Sequence, residues 1–171
     1  MPLPVVVVVP DDNRILYYRR DRKLYRFMSH FYTSPIDVDG ERWVTVEHYY
    51  QAQKSHDDAN RKAIRNAQSA EFAKQLAADP GAPSKISKRS WFRQHECEPR
   101  QDWNDVKLDA MRRGDLAKFS QHEAMLQRLL TTGDAELIED SESEPFWGVG
   151  PDEKGLNWAG RILMEVRAAL T

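Results

Sequence analysis

One segment of this 171-residue chain leaves little freedom in how it folds. Across residues 157–170, Ala159, Ile162, Leu163, Val166 and Leu170 recur at the spacing that collects side chains on one side of an α-helix, while Glu165 and Arg167 fall off that stripe. Such a helix has to bury its apolar side, so the rest of the chain must supply a core for it. Further helices are expected at 45–54, 58–67, 69–78, 102–119 and around 121–131. Thr45, Ser69 and Asp102 stand as their caps, Glu71 and Asp105 lie in first turns, and Gly133 ends the last of them. Strand signals are fewer. Val5 to Val9 and residues 15–19 read as two strands joined by the Asp11-Asp12-Asn13 turn, and short strands with loops are expected between Tyr25 and Trp43. The expected fold is therefore α+β, predominantly helical with a small β-sheet, in a single domain over residues 1–171.

Composition excludes several classes of function. With 25 basic against 27 acidic side chains, the chain is not patterned as a dedicated nucleic-acid binder. Cys97 is the only cysteine, which rules out an internal disulfide and fits a reducing compartment; a cytoplasmic location is the expectation. No apolar run approaches the roughly 20 residues of a membrane span. Val5–Val9 lacks a basic segment before it and does not read as a signal peptide. Residues 79–101 read as a loop, locally basic through Lys85, Lys88, Arg89, Arg93 and Arg100. That loop is either a solvated excursion or a phosphate-contacting lid.

Three stretches can carry chemistry. In the helix of residues 45–54, Glu47, Gln51 and Lys54 share a face, Tyr50 sits beside them, and Val46, Tyr49 and Gln53 lie on another flank. Glu47 falls in the first turn, where the helix dipole favours a carboxylate. A fixed carboxylate lowers the barrier to a cationic ribosyl centre; on an exposed surface Glu47 would only pair with Gln51 or Lys54. The second stretch runs from Glu139 to Gly150, an acidic segment ending in Phe146-Trp147-Gly148-Val149-Gly150. Its aromatics can stack on a flat base or anchor a loop to the core. The third is Lys154-Gly155-Leu156-Asn157, where free N–H groups at the start of the final helix can hold a phosphate, or Asn157 can serve only as a cap. Trp103 can stack on a substrate or fill the core. No metal site is expected, because His95-x-Cys97 is too little for zinc and His48, His56 and His122 lack partners at ligand spacing.

Taken together, these motifs resemble the YbiA-like (NADAR) family. The likeness runs through Phe27-Met28-Ser29-His30-Phe31-Tyr32, then Asp39-Gly40 and Trp43 to Lys54, then Trp103, Val106 and Lys107. It continues through Phe146-Trp147-Gly148-x-Gly150 and Gly155-x-Asn157-x-x-Gly160 to Arg167. The resemblance implies a YbiA-like fold and N-glycosidase chemistry without a cofactor. The substrate it implies is a ribosylamino-pyrimidine phosphate of riboflavin biosynthesis, cleaved to release ribose 5-phosphate. An ADP-ribosyl glycohydrolase acting on guanine in DNA, and a module that only binds ADP-ribose or NAD, are the rival implications; neither involves a membrane.

Carried over position by position, the resemblance implies that Glu47 is the catalytic carboxylate and Trp103 the functional tryptophan. Glu144 stands where the family has Asp, with a complementary catalytic role. Phe27, Ser29, His30 and Phe31 would line the substrate, as would Tyr50, Trp147 and Gly148. Lys54, Lys107 and Lys154 would neutralise phosphate, with Gly155 and Asn157 beside the last. His30 replaces the family's Asn, Val44 a common Pro and Ala159 a Leu.

Overall fold

The computed structural model describes residue 10, residues 12–18 and residues 23–171; the strand expected at Val5–Val9 lies outside them. In chain order the strands are β1 (Arg14–Tyr17), β2 (Ile36–Val38), β3 (Glu41–Trp43) and β4 (Glu136–Glu139). The helices are α1 (Val46–Ala52), α2 (Asp58–Arg65), α3 (Ala70–Leu76), α4 (Ser84–Ser87), α5 (Trp91–Gln94), α6 (Trp103–Gln121), α7 (Glu123–Leu130) and α8 (Trp158–Ala169), with a 3₁₀ helix over Lys23–Met28. The fold is α+β and mainly helical, as expected. The described residues form two compact units, one continuous over Thr33–Ala117 and one built from the chain up to Tyr32 together with Lys118–Thr171.

In the continuous unit, β2 and β3 form a hairpin pairing Ile36 with Trp43 and Val38 with Glu41. Its two-residue turn is Asp39-Gly40, both at positive φ (54° and 78°), the geometry that lets a tight turn follow the strand twist. Thr45 then caps α1, Asp57 caps α2 and Ser69 caps α3, each side chain accepting a first-turn N–H. Gly114 of α6 makes room for this helix layer: a Cβ there would lie 2.8 Å from Val46 Cγ1 and 3.2 Å from the Tyr49 ring.

The expected loop at 79–101 contains two single-turn helices, α4 and α5. Serine hydroxyls close these turns. Ser87 Oγ donates to Ala82 O at 2.8 Å, and Ser90 Oγ donates to Ala78 O at 2.6 Å while accepting from Arg93 N.

In the discontinuous unit, β1 pairs in parallel with β4, Arg14 opposite Glu136 and Tyr17 opposite Glu139. The strand at 136–139 carries no clear sequence signal, being four residues beside an acidic run. α8 packs on β4, and its Ala159, Ile162, Leu163 and Val166 are buried as the periodicity requires. Arg167 departs from expectation. Only 9% exposed, its guanidinium donates to Thr132 Oγ1 at 2.7 Å and to Ala135 O at 3.0 Å, and burial lowers its pKa. These two acceptors repay the burial of a charge that the apolar stripe alone would have turned outward.

Gly160 sets how closely α8 approaches β4. A Cβ at this position would lie 2.0 Å from Leu137 O. Gly160→Ala is expected to cost at least about 3 kcal/mol, since backbone on both sides must move to relieve the clash. Chemical denaturation with circular dichroism checks this, a midpoint close to wild type being the contrary result.

Candidate active site

The α1 helix holds the carboxylate that the sequence singles out. Seven residues are too few to be stable alone, so tertiary anchors must fix this helix. Thr45 Oγ1 accepts from His48 N at 3.2 Å and contacts His48 Nδ1 at 2.8 Å, and His48 Nε2 lies 3.1 Å from Ala67 O. A carbonyl can only accept, so Nε2 carries the proton; in the neutral ring Nδ1 then takes the Thr45 hydroxyl hydrogen. Hairpin edge, α1 and the end of α2 are thereby tied through one side chain.

Glu47 is 4% exposed, next to that anchor. It does not pair on an open surface. Its Oε1 accepts from Gln51 Nε2 at 2.7 Å, one turn later, and no described residue donates to its Oε2. Gln51 is 3% exposed, and its own Oε1 is buried without a partner. An orphaned acceptor of this kind costs about 1–3 kcal/mol.

The other members of the stripe form an aromatic corner. Tyr50 is buried, and its ring lies 5.0 Å from that of Trp103, tilted by 55°. Trp103 opens α6 and is half-buried. Lys54 Nζ donates to Ala77 O at 3.1 Å and stands 5.8 Å from the centre of the Trp103 ring. Lys107, further along α6, donates to Asn104 Oδ1 at 3.0 Å. Gln51, which the sequence places on the face of Glu47 but to which it assigns no role, is the partner of that carboxylate.

A cavity of about 210 Å³ lies on the other flank of α1, lined among others by Tyr49, Gln53, Val106 and Ala110; Glu47 does not line it. Its charged rim is already matched: Arg100 pairs with Asp102, Arg113 with Asp39 and Asp109 with Arg112. The Arg100 guanidinium holds the Asp102 carboxyl below its usual range. In the 79–101 segment, Arg89 donates to Gln75 and stands over the Phe72 ring, and Arg93 donates to Ser87. Arg93 thus braces its own segment, and Arg89 ties that segment to α3.

The discontinuous unit holds the remaining sequence candidates. Ser29 Oγ accepts from Phe31 N at 3.2 Å, and Ser29 O accepts from Lys118 Nζ at 2.9 Å. Lys118 is fully buried, with its ammonium 5.8 Å from the Tyr32 ring centre and 5.4 Å from that of Phe119. His30 is buried beside Ser29, and Phe31 meets Tyr18 edge-on. Phe27 is 1% exposed and packs edge-on against Phe119, with the Arg128 guanidinium 4.1 Å from its ring centre.

The segment from Glu139 to Asn157 brings a correction. Its amides are not free for a phosphate. Gly155 N donates to Val149 O, Leu156 N to Pro145 O, Asn157 N to Gly148 O, Trp158 N to Phe146 O and Ala159 N to Trp147 O. Gly148 and Gly155 serve backbone-to-backbone contact, because a Cβ would lie 2.6 Å from Glu139 O in one and 2.4 Å from Gly148 O in the other. Asn157 sits in the left-handed region at φ 52°, accepts from Glu139 N at 3.0 Å and donates to Leu137 O at 2.9 Å. It clamps strand to loop. Lys154 is exposed, while Glu144 and Trp147 are half-buried, the latter edge-on to Phe146 at 5.1 Å. Asn157→Ala is expected to lower stability by about 2 kcal/mol by orphaning both backbone groups. Urea denaturation checks this; an unchanged midpoint would show that the clamp contributes nothing.

The model for the NADAR domain matches residues 16–171. The chain is 38% identical over 162 residues to N-glycosidase YbiA of Escherichia coli (strain K12), an alignment covering 95% of this chain and 91% of that protein. It is 35% identical over 170 residues to a riboflavin biosynthesis protein of Vibrio vulnificus (strain YJ016), covering 99% of this chain but 39% of that longer protein. The NMR structure of E. coli YbiA superposes with a TM-score of 0.79 at 35% identity, over 99% of this chain and 93% of that one. With the family pattern present from β1 to the end of α8 and the same fold in a solved relative, the chain belongs to the NADAR family.

Proposed function

We propose that this protein is an N-glycosidase that hydrolyses the bond between ribose C1 and a base nitrogen, with a ribosylamino-pyrimidine phosphate as substrate and ribose 5-phosphate as product. Membership of the NADAR family and the names of its relatives support the reaction class. The observation that carries the residue assignment is the enclosed Glu47, held by Gln51 on the same helix as the Tyr50–Trp103 corner.

The chemistry follows from that arrangement. As the C1–N bond lengthens, its electron pair leaves with the base and positive charge gathers at C1. A carboxylate removed from bulk water stabilises that charge more strongly than a solvated one. Glu47 sits in the first turn of α1, at the positive end of the helix dipole. It also has the means to take a proton from the water that adds to C1 and pass it to the departing base nitrogen, so that water is divided between ribose and base. Trp103 supplies an indole face for the departing base, and Tyr50 limits how that indole can turn. Lys54 is assigned to bracing Trp103 through its contacts with the indole and Ala77 O, in place of the phosphate contact inferred from sequence. The roles given by the family pattern to Glu144, Trp147 and Lys154 are proposals to be assayed residue by residue.

Incubation with a ribosylamino-pyrimidine phosphate and, separately, with ADP-ribosylated guanine DNA, followed by mass spectrometry of the released sugar, tests the substrate. Release of ribose 5-phosphate from the first is expected; release of ADP-ribose from the second alone would replace this substrate with the rival one. Glu47→Gln should lower turnover by about 10³-fold with the fold intact, and undiminished turnover would remove Glu47 from the mechanism. Trp103→Ala should raise KM about tenfold, the scale of one lost base–aromatic stack.

A further inference from the structure

We infer that Gln51 is the positioning residue of the Glu47 carboxylate, an inference that rests on Glu47 being the catalytic group. The geometry settles the sense of the contact. Gln51 Nε2 donates to Glu47 Oε1 at 2.7 Å; with the amide reversed, two acceptors would face each other. A glutamine kept for packing alone would be better replaced by an apolar side chain of its size. A glutamine kept for Glu47 accounts for the orphaned oxygen.

The choice of an amide is itself informative. An ammonium or guanidinium at position 51 would hold Glu47 as firmly but would cancel the negative charge required beside a cationic ribosyl centre. A neutral donor fixes one oxygen and leaves the charge in place. The cation that does stand on this face, Lys54, is directed to Ala77 O and the Trp103 ring. With Oε1 restrained by Gln51, Oε2 remains without a described donor and is the oxygen assigned to the sugar. Both side chains project from one helix, one turn apart and almost wholly buried, so rotation of Glu47 away from the productive direction requires breaking this contact.

The test is Gln51→Met, close to isosteric and without a donor, assayed beside Glu47→Gln on whichever substrate the wild-type protein turns over. The expected result is a fall in kcat of about 30-fold or more with KM within about threefold of wild type, the signature of a displaced catalytic group rather than lost binding. The thermal midpoint should stay near wild type, since losing the orphaned Gln51 acceptor offsets withdrawing the donor from Glu47 Oε1. Where Gln51→Met fails to fold, Gln51→Asn, which withdraws the donor by one methylene, is read by the same criteria. A kcat within twofold of wild type, with Glu47→Gln inactive, overturns the inference and leaves the mechanism standing. A loss of kcat matched by a rise in KM or a lowered midpoint assigns Gln51 to packing and overturns it as well. Undiminished turnover by Glu47→Gln overturns the mechanism and, with it, the role of Gln51.

Discussion

The position of α1 depends on one imidazole. His48 lies between the Thr45 hydroxyl and the Ala67 carbonyl, so the same ring closes the first turn of α1 and ties it to the chain just beyond α2. Every candidate in the continuous unit takes its place from this. Glu47 precedes the ring in sequence, Gln51 follows one turn later, and Tyr50 reaches Trp103 from the same short helix. Were α1 free to rotate by a single residue, about 100° would separate the carboxylate from its present direction.

A buried carboxylate needs justification, because removal from water disfavours the charged form. Here the carboxylate has the start of α1 and, among the described residues, one neutral donor, while Lys54 on the same helix donates to Ala77 O. That combination holds a negative charge in place without neutralising it, which suits stabilisation of a cation formed transiently nearby. The aromatic corner complements this, since Tyr50 and Trp103 restrict each other while leaving the indole half-exposed.

Much of this was legible in the sequence, where it depended on local pattern. The stripe of α8, the Thr45 and Ser69 caps and the Asp39-Gly40 turn follow from spacing and backbone preference, and Glu47 and Gln51 fall on one face by helix geometry alone. What escaped depends on distant partners. Lys54 finds Ala77 O across a loop, Arg167 finds Thr132 and Ala135, and the amides around Asn157 are taken by carbonyls of residues 145–149. No inspection of Gly155 or Asn157 in isolation tells whether an N–H is free. β4 was missed for a related reason: four residues carry too little periodicity, and the strand exists because β1 pairs with it. The family pattern supplied what spacing could not, above all the weight given to Trp103.

The pairing of Arg14 with Glu136 has a consequence for biogenesis. The unit spanning Thr33–Ala117 is continuous, so all its internal partners are synthesised before the second half of its neighbour. β1 cannot pair with β4 until residues 136–139 are synthesised, and α8 follows later still. A nascent or truncated chain ending before residue 136 therefore carries the helix with Glu47 complete while β1 lacks its β4 partner, and a strand short of a partner is the kind of element that recruits other chains and that chaperones intercept.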